Sequence, residues 1–277
     1  MVDAIIIGGG LFGSIIAKEL QAKGREVVII DCDKPDAGSK PAACLMKPSW
    51  FSSLGKEISE PSLELLDRHY GVKDIKFKLP NRFHATVHWV DPQLVLDKDY
   101  IAGEVYAITP EYGFGHLVSF RTKGSDKHLQ LEAPLVVVAA GVWSADIVPI
   151  EGGLQGQAGM AFLWPENTIE DPFVSPWAPY RQLVAFNRGD GLWVGDGTAI
   201  KHENWTEDRA LTSLARCGKA VNLSTPPKKL YGIRPYTKRK PCYLEEVSPG
   251  LWAATGGAKN GTIAAGWCAH EIARRTA

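Results

Sequence analysis

"IIIGGGLFGSIIAKEL", residues 5–20, decides the fold. The isoleucine run that follows Ala4 has the length and branching of a short buried strand, and it enters the glycines of GGGLFG, residues 8–13, without a break. Over residues 14–23 the apolar positions Ile15, Ile16 and Leu20 fall on one helical face, and Gly24 stands where a helix ends. A second apolar strand, EVVII, follows and closes on Asp31. Strand, glycine turn, helix and strand in this order form a βαβ unit. Gly8 permits the tight turn, Gly10 lets a pyrophosphate approach the backbone at the positive end of the helix, and Gly13 lets helix pack on strand. Asp31, 23 residues beyond Gly8, stands where a carboxylate accepts hydrogen bonds from an adenosine ribose. The pattern predicts a dinucleotide site; the alternative is that the glycines serve packing alone.

Length and composition leave room for this. A chain of 277 residues with 45% apolar composition buries a full core as one large or two interleaved domains. Basic and acidic residues balance at 31 each, so overall charge selects no partner. The five cysteines, Cys32, Cys44, Cys217, Cys242 and Cys268, form no C-x-x-C pair and are odd in number, which suits buried thiols of a reducing cytoplasm rather than a disulfide framework. His84 and His88 lie in FHATVHWV, a strand-like alternation, and no metal site is expected. No apolar run reaches the length of a membrane span, and MVDAIII has neither a basic leader nor a cleavage site. A cytoplasmic protein without membrane contact is the expectation.

The glycine turn does not separate NAD from FAD, but two later stretches bear on the choice. LEAPLVVVAAGVWSADI, residues 131–147, is an apolar strand that ends in Ala139, Ala140 and Gly141, as a sheet strand ending at a cofactor does. GLWAATGGAKNGTIAAGWCAHEIA, residues 250–273, reads as a strand, a glycine-rich turn and a helix that begins near Gly261 and Thr262. The free N–H groups and partial positive charge of that helix start suit the N1/O2 edge of a flavin.

In GGGLFG with its acid, VVVAAGVWS, LQGQAGMAF, GIRPYTKRKP and TGGAKNGTIAAG, in this order, the chain resembles the FAD-dependent amino-acid oxidases of the D-amino-acid oxidase and glycine oxidase (DAO) group. GIRPYTKRKP followed by KNG is most similar to glycine oxidase. The resemblance implies an α/β fold: a doubly wound, Rossmann-like FAD domain of the glutathione-reductase type, assembled from discontinuous segments, with a smaller antiparallel-sheet domain over the flavin. It further implies FAD as cofactor. Gly8, Gly10, Leu11, Phe12 and Gly13 would hold it at the first turn, with Asp31 and Cys32 after the second strand. Ala43, Cys44 and Leu45, in GSKPAACLMKPSW, match the segment that lies along the flavin, where glycine oxidase has small residues and a glycine in place of Cys44. Val105 would give its backbone to adenine; Ala140, Gly141 and Trp143, then Gly257, Asn260, Gly261 and Thr262, complete the set. Cys44 is read as an ordinary packed thiol, with a flavin neighbour or a covalent attachment point as alternatives.

In the family, the arginine of G-[LIF]-R-P clamps the substrate carboxylate above the flavin; the match here is Arg234. A guanidinium fork pairs a carboxylate bidentately and so fixes the α-carbon. A structural ion pair is the other reading. Lys259 falls where glycine oxidase has an arginine, and either holds substrate, orders a water or faces solvent. The implied chemistry is hydride loss from the α-carbon of an amine to flavin, followed by imine hydrolysis. It asks for positioning more than acid–base groups, which agrees with the lack of a Ser-His-Asp or paired-carboxylate signature.

Two departures from the family bear on substrate. The span from Asp31 to Val105 is 74 residues, shorter than relatives spend there, which predicts a shallower, more open site that admits a small group carried on something large. From Arg209 to Leu244 there are nine basic residues and no acid, with Tyr231, Tyr236 and Tyr243 interleaved. That composition suits phosphate contact and base stacking; a solvated run balanced by acids elsewhere is the alternative. A tRNA-modification enzyme of this group removes a carboxymethyl unit from an aminomethyl uridine, so a glycyl amine carried on a nucleic acid is an expected partner beside a free small amine.

The FAD domain is expected to comprise residues 1–50, 98–150 and 226–277, and the substrate domain residues 51–97 and 151–225. Within the latter, EPSLELLDRHYG reads as a helix, GMAFLW, RQLVAFNR and GLWVGDGTAI as strands, and TEDRALTSLARCGKAV as a helix capped by Thr206. Trp50 and Phe51 are expected in the core or the pocket rim. The leading functional reading is an FAD-dependent oxidase or oxidative lyase cleaving the C–N bond of a glycine-like amine. A flavin-bearing accessory protein without turnover and an NAD-dependent dehydrogenase are its rivals.

Overall fold

The computed structural model describes residues 2–47, 54–80, 83–96, 99–111, 115–125, 127–178 and 181–277. Trp50 and Phe51 lie outside the described residues. In chain order the elements are β1 (Ala4–Ile7), α1 (Leu11–Ala22), β2 (Val27–Asp31), β3 (Leu45–Met46), α2 (Lys56–Tyr70), β4 (Lys73–Lys78), β5 (His84–Trp89), α3 (Pro92–Val95), β6 (Ile101–Glu111), β7 (Gly115–Thr122), β8 (His128–Ala133) and β9 (Leu135–Val138). They continue as β10 (Gln155–Trp164), β11 (Phe173–Ala178), β12 (Arg181–Asn187), β13 (Leu192–Gly195), β14 (Ile200–Lys201), α4 (Glu207–Val221), β15 (Lys228–Tyr236), β16 (Tyr243–Ser248), β17 (Leu251–Thr255) and α5 (Gly261–Arg275).

The first sheet runs β16-β17-β9-β1-β2-β6-β7-β8. Its middle is parallel, with Ile5 opposite Val28 on one side and Val136 on the other. Strands buried on both faces need continuous apolar runs, and AIII and LVVV are buried at every position. On one face Ile15, Ile16 and Leu20 of α1 pack with Ile263, Ala264 and Cys268 of α5. The other face receives Val118 and Phe120, because the antiparallel β6-β7-β8 meander curls over Ile5, Ile7 and Val138. Helix α2 closes on α5, where Gly266 lets Ser62 approach and its hydroxyl donates to the Ile263 carbonyl at 2.8 Å. This α2 begins at Lys56, earlier than expected, and carries Pro61 inside it.

The second sheet runs β14-β10-β13-β12-β11-β4-β5-β3, with β15 on the other edge of β10. Helix α4 covers one face through Ala210 and Cys217 against Phe162 and Trp164. Thr206 precedes it as expected, but its side chain makes no capping bond. The opposite face carries an aromatic cluster in which Phe186 meets Phe77, Trp89 and Trp193 at ring separations of 6.0, 6.2 and 5.5 Å. His84 and His88 lie on β5 of this sheet, and His88 Nδ1 meets Asp74 Oδ1 at 2.6 Å.

Two segments expected with the nucleotide fold pair instead in this second sheet. Leu45 and Met46 pair with Trp89 and His88, and β15 pairs with β10 along its whole length, from Lys228 opposite Leu163 to Tyr236 opposite Gln155. Gly159 and Gly232 are directly paired and leave that face open: a Cβ at Gly159 would meet Arg234 Nη2 at 2.2 Å, and one at Gly232 would meet Pro41 Cγ at 2.6 Å. Among the described residues no helix is long and apolar enough to cross a membrane.

Candidate cofactor and substrate site

A cavity of about 490 Å³ lies between the two sheets, within the range of roughly 300 to 1,000 Å³ usual for small-molecule sites. Its floor is bare backbone. A Cβ at Gly8, whose φ is +107°, would meet the Ala139 carbonyl oxygen at 2.6 Å, and one at Gly10 would meet Ser39 Oγ at 2.8 Å. At Gly13 it would meet the Gly8 carbonyl oxygen at 1.7 Å, so α1 reaches the β1 turn only because that side chain is missing. Helices α1 and α5 both begin at the cavity, and neither N-cap residue, Gly10 or Asn260, makes a side-chain cap. At α1 the Leu11 N–H is taken by Ser39 Oγ, but the positive dipole ends of the two helix starts still suit the pyrophosphate and ring edge of a flavin dinucleotide.

Asp31 lines the cavity beside this turn. Its carboxylate accepts the N–H of Gly9 at 2.5 Å through Oδ2 and that of Asp33 at 2.5 Å through Oδ1. Each oxygen keeps a lone pair for a further donor, as a ribose hydroxyl requires. Cys32, Glu104 and Val105 complete this end. At the middle stand Leu11, Phe12, Ala140, Gly141 and Trp143, with Thr255 Oγ1 donating to the Gly141 carbonyl at 2.8 Å. At the far end are Ala43, Cys44, Leu45, Gly257, Gly261 and Thr262, together with Arg234 and the exposed Lys259. Gly13 and Asn260 do not line the cavity; the first acts by letting α1 pack, and the second precedes α5.

Cys44 has φ +52°, a left-handed conformation that favours glycine. Burial pushes its thiol up to about 12, partly opposed by a hydrogen bond with Thr262. A buried thiol raised in this way suits a packing role. All five cysteines are free, Cys32 half-buried and the others buried.

Arg234 comes from β15 on the face that looks onto the cavity. Its guanidinium lies over Gly159, where a Cβ would stand 2.2 Å from Nη2, and Nη2 donates to the Thr198 carbonyl at 3.2 Å. Among the described residues this is its one hydrogen bond. Burial pulls the guanidinium below its ordinary value, and the charge of Asp196 opposes that shift. A half-buried cation of this kind, with donors to spare, has the chemistry to receive an anion.

Sequence reasoning missed the strap that holds the site together. Residues 33–42 cross from the nucleotide turn to β15, where Ile233 N–H donates to the Asp36 carbonyl at 2.8 Å. Ser39 Oγ accepts the Leu11 N–H at 2.9 Å, at the start of α1. The next carbonyls are bound by the second sheet: Ala42 by Arg188 Nη1 at 3.2 Å, Pro41 by Trp193 Nε1 at 3.1 Å and Ala43 by Trp89 Nε1 at 3.0 Å. Arg188 is itself buried and forked onto Asp190 at 2.9 and 2.6 Å. The small residues of GSKPAAC were the only signal, since the anchors lie more than forty positions away in sequence.

Of the nine basic residues between Arg209 and Leu244, Arg216, Lys229 and Arg239 have acidic partners in Asp196, Glu207 and Glu245. Tyr243 is buried beneath Arg239, and the half-buried Tyr231 packs on Trp205 at 5.3 Å. Arg209, Lys219, Lys228, Lys238 and Lys240 are exposed.

No curated protein matches the chain. Among solved structures it is similar over 99% of its length to glycine oxidase from Bacillus cereus ATCC 14579, covering 94% of that chain at 18% identity with a TM-score of 0.69. Iminodiacetate oxidase from Chelativorans sp. BNC1 gives a TM-score of 0.72 at 15% identity, with 98% of this chain and 94% of that one covered. Glycerol-3-phosphate dehydrogenase from Bacillus halodurans, complexed with FAD, gives 0.69 at 16% identity, covering 100% of this chain and 65% of that one. These likenesses show the fold. The family described as FAD dependent oxidoreductase (DAO) matches residues 99–275, a stretch that holds β9, β10, Arg234 and the start of α5. With well over half of its length matched, the chain belongs to the DAO family of FAD-dependent oxidoreductases.

Proposed function

We propose that the protein oxidises the C–N bond of a glycine-like amino acid or N-substituted glycine, leaving an imine that water cleaves to glyoxylate and an amine. FAD, when bound, takes up the hydrogen and electron pair lost from the carbon next to nitrogen. The observation that carries the reading is Arg234: a half-buried guanidinium on the wall of the cavity shared with the glycine turn and α5. It pairs the substrate carboxylate and so holds the α-carbon at one place, which is most of what this chemistry asks of a protein. Gly195, Gly197 and Ala161 keep the wall beside it low, leaving room for a substituent on nitrogen. The names of two similar structures, glycine oxidase and iminodiacetate oxidase, support this substrate class. Membership of an FAD-dependent family sets aside the nicotinamide reading.

A substrate carried on a nucleic acid is the finer version. It is favoured by the exposed cations Lys238 and Lys240, which follow Arg234 by a few residues. Anaerobic mixing of the FAD-loaded protein with glycine, sarcosine, iminodiacetate and a glycyl-modified nucleoside, followed by the flavin absorbance, tests both. Bleaching by one of these that Arg234→Ala abolishes supports the reading; bleaching that survives the substitution refutes it. Bleaching by free amino acids with none by the nucleoside refutes the attached version.

A further inference from the structure

Asp196 is a fully buried carboxylate that the oxidation itself does not use. It sits in GDGT between β13 and β14, where Gly195 and Gly197 line the cavity and the aspartate turns to the face covered by α4. There its Oδ2 stands 3.7 Å from Arg216 Nη1, and its charge raises the thiol of Cys217 on the same helix, after burial. Its Oδ1 accepts the Thr198 N–H at 2.9 Å. The carbonyl of that same Thr198 accepts from Arg234 Nη2 at 3.2 Å. Gly197, with φ +66°, makes the turn that lets one residue reach both groups.

We infer that Asp196 is a positioning residue for Arg234: it folds the turn 196–198 so that the Thr198 carbonyl holds the guanidinium against Gly159 and aims it into the cavity. The inference rests on the reading of Arg234 as the carboxylate clamp. A fully buried polar side chain is retained at a desolvation cost, and a site that must hold one guanidinium in one orientation is a physical reason to keep it.

The test uses the FAD-loaded protein and acetate as the probe, read as a perturbation of the flavin absorbance. Asp196→Ala is expected to weaken acetate about tenfold, the worth of one buried hydrogen bond, with FAD still bound stoichiometrically. Asp196→Asn keeps an acceptor for the Thr198 N–H and is expected to recover to within about threefold of the parent. If the alanine variant does not fold, Asp196→Ser, a shorter acceptor on the same turn, is expected to weaken acetate severalfold. Acetate binding unchanged in Asp196→Ala or Asp196→Ser, or no recovery in Asp196→Asn, overturns the inference while leaving Arg234 in place. Arg234→Ala in parallel separates the two ideas: if it too leaves acetate binding unchanged, the clamp reading fails and this inference falls with it.

Discussion

Gly159→Ala disturbs the clamp without removing any charged group. The added Cβ would lie 2.2 Å from Arg234 Nη2, 3.0 Å from its Cζ and 2.8 Å from the Thr198 carbonyl oxygen, where ordinary contacts begin at 3.4 Å. Relief requires the guanidinium to retreat by about 1 Å and to leave the carbonyl it now meets. A shift of about 1 Å at a positioning group costs on the order of 10²-fold in rate, or about 2.7 kcal/mol in the barrier. The variant should therefore bind FAD as the parent does but reduce it about 10²-fold more slowly per molar sarcosine, read by anaerobic stopped-flow absorbance. An amine without a carboxylate should lose little by comparison. Unchanged reduction by sarcosine, with FAD stoichiometric, would refute the assignment of Arg234 to the substrate carboxylate.

At the other end of the site, Gly13→Ala puts a methyl group 1.7 Å from the Gly8 carbonyl oxygen; overpacking of that size costs about 3 kcal/mol or more, and FAD retention on gel filtration should be lost with it. Arg188→Met strips the Ala42 carbonyl of its donor and strands Asp190, which should lower stability by about 3 kcal/mol in urea unfolding of the FAD-loaded protein. The carboxyl of Glu19 is raised by burial, but hydrogen bonds from His69 and Arg68 outweigh this and hold it below the ordinary carboxylate range. Its stabilising share is complete above the unfolded value and fades as pH falls through the folded one. Glu19→Gln should thus be destabilising at pH 7, with the gap from the parent closing on acidification, seen as converging urea midpoints; a gap that widens in acid would contradict the sign.

How legible the molecule was depends on how far apart in sequence the cooperating residues lie. The βαβ unit was readable because strand, turn, helix and acid occur within one short run, and β1, α1 and β2 form where the periodicity puts them, α1 only starting earlier, at Leu11. The start of α5 at Gly261 was readable for the same reason. Arg234 was found through a motif and its segment grouped with the FAD domain; that β15 pairs with β10 of the second sheet was not legible, since a period of two says which residues share a face and nothing about which neighbour pairs with them. The pairing of β15 with β10, in which Gly159 meets Gly232 73 positions away, is visible only in the register. Asp196 escaped notice because a lone acid between two glycines reads as a turn; only its full burial and the approach of Arg216 from α4 give it another meaning. Of the basic run, composition could not foresee that Tyr243 would sit beneath Arg239.

The strap that joins the sheets has a consequence for how the cofactor arrives and leaves. Its hydroxyl at Ser39 rests on the first turn of α1 while Arg188, Trp193 and Trp89 hold its carbonyls from the opposite side. Lifting it breaks contacts on both halves of the molecule at once, so hinge opening of one half against the other is a poor route for a dinucleotide. FAD would be enclosed during folding and released only with partial unfolding, and turnover would proceed with the two halves locked, the amine entering and its product departing through the gap beside Gly195 and Gly197.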